Sequence, residues 1–148
     1  MRIDRQKVWE KCEGHCGYCG EAIAINDMQV DHIWPQNRAH QIPGLAIHDH
    51  KNLMPACRVC NNWKSTYTVE LFRLQIIDQV KQLRQRSANY RMAKRYGLIE
   101  ETGLKVVFYF ENRQTAACEM LRETVRDVAK AQTQTELDWM RKRYGVEL

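Results

Sequence analysis

The chain has no long hydrophobic run. In its 148 residues the longest uninterrupted apolar stretch, Val106–Phe110, is five residues. A membrane-spanning helix needs about 20, so none is expected. The N-terminus, Met1-Arg2-Ile3-Asp4-Arg5, is charged and lacks the apolar segment of a secretory signal. The expected compartment is therefore the cytosol (bacterial or phage-infected cell). There are no internal repeats and no low-complexity segments. A hydrophobic fraction of 44% and a charged fraction of 28% argue against wholesale disorder and allow one modest core. In a reducing compartment the six cysteines do not read as a disulfide framework.

What the chain does have is cysteine in pairs. Cys16-Gly17-Tyr18-Cys19 is one C-x2-C knuckle and Cys57-Arg58-Val59-Cys60 is a second, with a 37-residue spacer between them. Two such knuckles in a short chain predict a tetrahedral zinc site with four cysteine ligands. Gly14, Gly17 and Gly20 suit a tight turn whose backbone donors point at sulfur. Cys12 and Cys118 have no partner of this kind and read as small buried residues. Four thiolates on one Zn²⁺ carry a net −2, which brings the formal +5 nearer to +3.

Charge is unevenly placed. Residues 1–64 are almost neutral and contain all five histidines, while Arg73–Arg95 holds seven Lys/Arg against one Asp. Arg84, Arg86, Arg91, Lys94 and Arg95, interleaved with Tyr90 and Tyr96, read as a phosphate-contacting stretch. A solvated helix face is the plainer reading of the same residues.

Local patterns predict a helix from Asp4 to Cys12 and a hairpin of Glu21–Ile25 with Met28–Ile33 about Asn26-Asp27. A long loop follows over Trp34–Lys51, then a brief strand over Asn52–Pro55. A helix runs from the second knuckle to Lys64. Apolar residues Val69, Phe72, Ile76, Val80 and Leu83 recur at helical steps over Val69–Arg86. Ser87 can cap a second basic helix ending at Gly97. Lys105–Glu111 reads as a strand, Asn112 as the cap of a helix to Ala131, and Thr135–Tyr144 as a last helix stopped by Gly145.

Three motifs lie in order between and after the knuckles: Val30-Asp31-His32-Ile33, then Asn52-Leu53-Met54-Pro55-Ala56-Cys57, then Asn61-Asn62-Trp63-Lys64. Hydrolysing a phosphodiester needs an attacking water, a base for its proton, and a cation for the developing charge. Histidine is a natural base near neutral pH, and Asp and Asn offer the hard oxygen ligands that suit Mg²⁺. In a regular strand Asp31 and His32 point to opposite faces.

Over Cys16–Lys64 the pattern resembles the HNH endonuclease family, in its zinc-knuckle subgroup with asparagine as the third motif letter. The resemblance implies a ββα-metal HNH core with a structural four-cysteine zinc site; with the residue patterns after it, the expected fold is α+β, a core over residues 1–66 followed by a mainly helical basic extension (67–148) packed on it. It implies His32 as general base, Asp31 and Asn61 as ligands of a catalytic Mg²⁺ or Mn²⁺, and Asn52 as the residue that holds the loop and orients His32. Products would carry 5′-phosphate and 3′-hydroxyl ends. Lys64 could contact a phosphate or the knuckle backbone. DNA, double-stranded, is the expected partner, and a single site cuts one strand, so a double-strand break needs two copies or two binding events. A homodimer or a protein partner for the rear, with Trp139 and Met140 near its end, also fits. His48-Asp49-His50 resembles a metal cluster but reads better as a polar loop. A phage, mobile-element or restriction-type defence role suits the size. The alternative function is a zinc-stabilised module that binds nucleic acid without cutting it.

Overall fold

The computed structural model describes residues 2–145; residue 1 and residues 146–148, the ends of the two expected parts, lie outside the described residues. Asp4 opens the fold as foreseen. Its carboxylate accepts from the Lys7 N–H at 3.2 Å and caps α1, Arg5–Glu10. β1, Gln29–His32, pairs antiparallel with β2, Leu53–Ala56, with Asp31 opposite Met54 and His32 opposite Leu53. α2, Arg58–Lys64, starts at the second knuckle, where Cys57 Sγ accepts from the Cys60 N–H at 3.4 Å. Strand, strand and helix thus form a ββα unit.

The expected hairpin does not form. The Cys16 N–H donates to Glu21 O and the Ile23 N–H to Gly14 O, both at 2.8 Å. These bonds, with an isolated bridge between His15 and Ala22, spend the 21–25 backbone on the first knuckle. β1 instead finds its partner across the long loop. That loop holds a 3-10 helix at Gln36–Gln41, and a second at His50–Asn52 leads into β2. Gly17 is required where knuckle and sheet meet. Its N–H donates to Pro55 O at 2.8 Å, and a Cβ there would lie 2.6 Å from Met54 Sδ.

The rear is helical: α3 (Val69–Arg86), α4 (Ala88–Arg95), α5 (Tyr109–Asn112), α6 (Ala116–Lys130) and α7 (Gln134–Tyr144). Thr68 caps α3, Ser87 caps α4, and Gly145 ends α7 in the left-handed conformation at φ +65°. The first half of α3 buries Val69, Leu71, Phe72 and Leu74, but Val80 and Leu83 stay exposed and α4 buries no residue. The strand expected at 105–111 is absent. Phe108 and Phe110 are buried in the core, and the Tyr109 and Phe110 N–H groups donate to Tyr18 O and Gly17 O at 2.9 Å. Those bonds end the extended run and begin α5. Asn112 therefore closes α5 instead of capping α6. Thr115 caps α6, because Arg122 Nη1 holds the carbonyls of Phe110 (3.0 Å) and Arg113 (2.6 Å) outside the helix.

One apolar cluster joins the two parts of the chain. Cys16, Tyr18, Trp34 and Met54 from the front pack with Phe72, Phe108, Phe110 and Leu121 from the rear. Cys12 and Cys118 lie buried in the same cluster. Among the described residues, no helix is long and apolar enough to cross a membrane.

Candidate active site and metal centre

The two knuckles bring four sulfurs together. Those of Cys16, Cys19, Cys57 and Cys60 all lie within 4.8 Å of one another, with Cys19 and Cys57 at 3.9 Å. A tetrahedral zinc with Zn–S bonds of about 2.3 Å separates its sulfurs by about 3.8 Å. The set therefore fits a structural metal ion such as zinc. The Cys60 thiol and the N–H groups of Cys57, Cys19 and Tyr18 hold the Cys16 thiol down to about 5 against its burial. The hydrogen bond to Cys16 and burial drive Cys60 up. The glycines themselves do not face sulfur: Gly17 donates to Pro55 O and Gly20 to Cys16 O.

From the first knuckle the structure runs directly to Asp31. Strand alternation turns this residue inward, where it is 5% exposed. Its Oδ2 accepts from the Tyr18 hydroxyl at 2.5 Å, and Lys64 Nζ lies 3.0 Å from Oδ2 and 3.1 Å from Oδ1. Burial holds the Asp31 carboxyl above its usual range and Lys64 below its own, and each charge pulls back on the other. Lys64 also donates to His32 O at 2.8 Å and is fully buried. The expectation that Lys64 reaches a phosphate is corrected: its ammonium lies behind the site as the counter-charge of Asp31. Tyr18, which no sequence signal singled out beyond its place inside the knuckle, couples the metal centre to the same carboxylate.

His32 points the other way and is half-exposed. Its Nε2 lies 3.1 Å from His48 Nδ1 and 3.2 Å from Gln36 Nε2. Among the described residues no group hydrogen-bonds to His32 Nδ1. Burial first, then His48 and Lys64, lower the imidazole pKa to about 4. His48-Asp49-His50 does not act as a cluster. His48 faces His32, the Asp49 carboxylate caps the 3-10 turn through the Lys51 N–H at 2.8 Å, and the His50 carbonyl accepts from Lys11.

Asn52 is buried and ties down the long loop. Its Oδ1 accepts from the Trp34 N–H at 2.8 Å, its Nδ2 donates to Trp34 O (3.2 Å) and Ile47 O (2.9 Å), and its carbonyl accepts from the Ile33 N–H at 2.9 Å. Lys11, its pKa lowered to about 8 mainly by burial, holds Leu53 O at 2.6 Å and steadies the same turn. Asn61, on α2, shares a cleft of about 300 Å³ with Asp31, His32, Gln36, Ser65 and Thr66. Among the described residues the Asn61 side chain makes no hydrogen bond. Ser65 enters this cleft at φ +49°, ψ −121°, a conformation that strains any side chain.

The basic stretch is less available than its composition suggests. Arg84 and Lys94 are paired with Glu101, and Arg91 Nη1 donates to the carbonyls of Arg84 (3.0 Å) and Gln85 (3.1 Å). Arg86 and Arg95 are exposed.

The front of the chain thus combines a ββα unit, a four-sulfur centre built by the two knuckles, and a cleft lined by Asp31, His32 and Asn61. Residues 16–66 match the family model of the HNH endonuclease, about a third of the chain. That segment is similar to the HNH endonuclease family, and its four cysteines are positioned to bind a metal, consistent with a zinc-knuckle form. No curated protein and no solved structure matches the chain.

Proposed function

We propose that the chain is a metal-dependent endonuclease that hydrolyses phosphodiester bonds in DNA. The supporting observation is the cleft that His32, Asp31 and Asn61 line together. Asp31 Oδ1 accepts from Lys64 at 3.1 Å, and the Asn61 amide has no protein partner among the described residues. These two hard oxygen donors suit Mg²⁺ or Mn²⁺. When bound, such a cation supplies positive charge opposite the charge developing on the phosphodiester.

The chain's own residues do the rest. His32, neutral across the physiological range, takes a proton from the attacking water at its unbonded Nδ1. The water oxygen bonds to phosphorus as the bond to the leaving ester oxygen breaks. In that tautomer the His32 Nε2–H donates to His48 Nδ1 and fixes the imidazole, and Asn52 fixes the loop behind it. Lys64 balances the Asp31 charge from within the core. Arg86 and Arg95 contact the DNA backbone, with Arg84, Arg91 and Lys94 joining where Glu101 and the helix-end carbonyls release them.

The test is supercoiled plasmid incubated with protein and Mg²⁺, Mn²⁺ or EDTA, beside single-stranded DNA and RNA. Nicking with either cation and none in EDTA is expected. Binding without cleavage under every cation would favour the non-catalytic module.

A further inference from the structure

The catalytic cleft does not end at Thr66. Asn37 and Thr66 line it and also line a second groove of about 380 Å³ that reaches α7. The groove is walled by Tyr67 and Trp139, the latter 47% exposed. Arg38 forms its polar side. The guanidinium lies over the Trp34 ring at 5.7 Å and pairs with Glu136, while Nη1 is buried with no partner among the described residues. The groove thus offers Tyr67 and Trp139 as aromatic walls and the Arg38–Glu136 pair as a polar side, and it shares two lining residues with the cleft.

We propose that this groove is a subsite for one unpaired nucleobase of the substrate strand, stacked on Trp139 and hydrogen-bonded at its edge by Arg38. The proposal rests on the nuclease reading above. A strand whose phosphate sits beside His32 must leave the cleft along its length, and this exit presents what a base uses: a flat aromatic surface for its face and polar groups for its edge. A base stacked inside an intact duplex cannot enter a side groove without being extruded. The substrate class that follows is a strand with an unpaired nucleotide next to the cut, as in a bulge, an overhang or single-stranded DNA.

The test is binding, measured by fluorescence anisotropy with chemistry silenced by His32→Ala in every protein. Four DNAs are compared: fully paired duplex, the same duplex with a one-nucleotide bulge, that bulge made abasic, and single strand. Adding Trp139→Ala should weaken binding to the bulge and the single strand by about ten-fold or more. It should leave the paired duplex unchanged and have no effect on the abasic bulge. Trp139→Phe, which keeps an aromatic face, should recover most of the loss. Equal affinities with and without Trp139→Ala on all four DNAs, or equal losses on all four, overturn the subsite. If wild-type protein still cuts DNA in either case, the nuclease reading stands. A wild-type protein that neither binds nor cuts any nucleic acid overturns both. A Trp139→Ala change that instead weakens self-association overturns the subsite in favour of a second copy of the chain.

Discussion

An ordinary histidine loses half of its base form near a pH of about 6.5. His32 is half-buried, faces His48 and lies near the Lys64 ammonium, and its pKa falls to about 4. The base is the neutral form, so a lowered pKa moves its loss to lower pH. His32 then stays competent from about pH 5 upward, and the rise in activity that an unperturbed imidazole implies near neutrality should not originate here. NMR titration of the His32 ring in the folded protein should give an inflection near 4, and one near the ordinary value would contradict this environment. Lys64 carries a second prediction. Lys64→Met leaves the Asp31 carboxylate buried without its counter-charge, which costs about 3–5 kcal/mol. Urea denaturation should show that loss, partly recovered on adding Asp31→Asn; Lys64→Met as stable as wild type would contradict it. At this scale the grouping of Asp31, His32 and Asn61 on one cleft, and Asn52 as the tie of the long loop, were legible because their spacing forms a motif. Lys64, Tyr18 and His48 were not legible in their actual positions. What decides their roles is which way each side chain turns once distant segments pack, and spacing does not encode that.

The elements around the site are held by the two knuckles more than by the sheet, which has four residues per strand. A structural metal contributes folding free energy directly. Cys16→Ser or Cys57→Ser should therefore abolish cooperative melting, as should prolonged chelation. A serine variant that keeps both its bound metal and its melting temperature would contradict the four-sulfur assignment. Helices were the most legible elements, since Asp4, Ser87 and Gly145 mark their ends by ordinary capping chemistry. The two failed strand readings share a cause. Residues 21–25 and 105–111 have strand-like composition, but the knuckle takes their backbone partners: Cys16 and Gly14 bind the first, Gly17 and Tyr18 the second. A strand needs an edge to pair with, and composition says nothing about which edge is free.

At the scale of the whole molecule, composition divides the chain at about residue 66, whereas the apolar core does not. Phe72, Phe108, Phe110 and Leu121 complete a cluster begun by Tyr18 and Trp34. A protein truncated after Thr66 should bind metal through its cysteines yet melt without cooperativity, as followed by circular dichroism; a cooperative transition like that of the full chain would contradict a shared core. The rear's positive charge changes meaning in the same way. It was read from a window ending at Arg95, but Glu101, just outside, pairs with Arg84 and Lys94.

These scales meet in the claim that one imidazole on β1 removes the proton of the attacking water. The direct measurement is single-turnover DNA cleavage by wild-type and His32→Ala proteins of matched melting temperature at saturating Mn²⁺. The expected result is a loss of about 10²–10⁴ in rate without loss of DNA binding. Cleavage by His32→Ala at the wild-type rate would contradict the assignment.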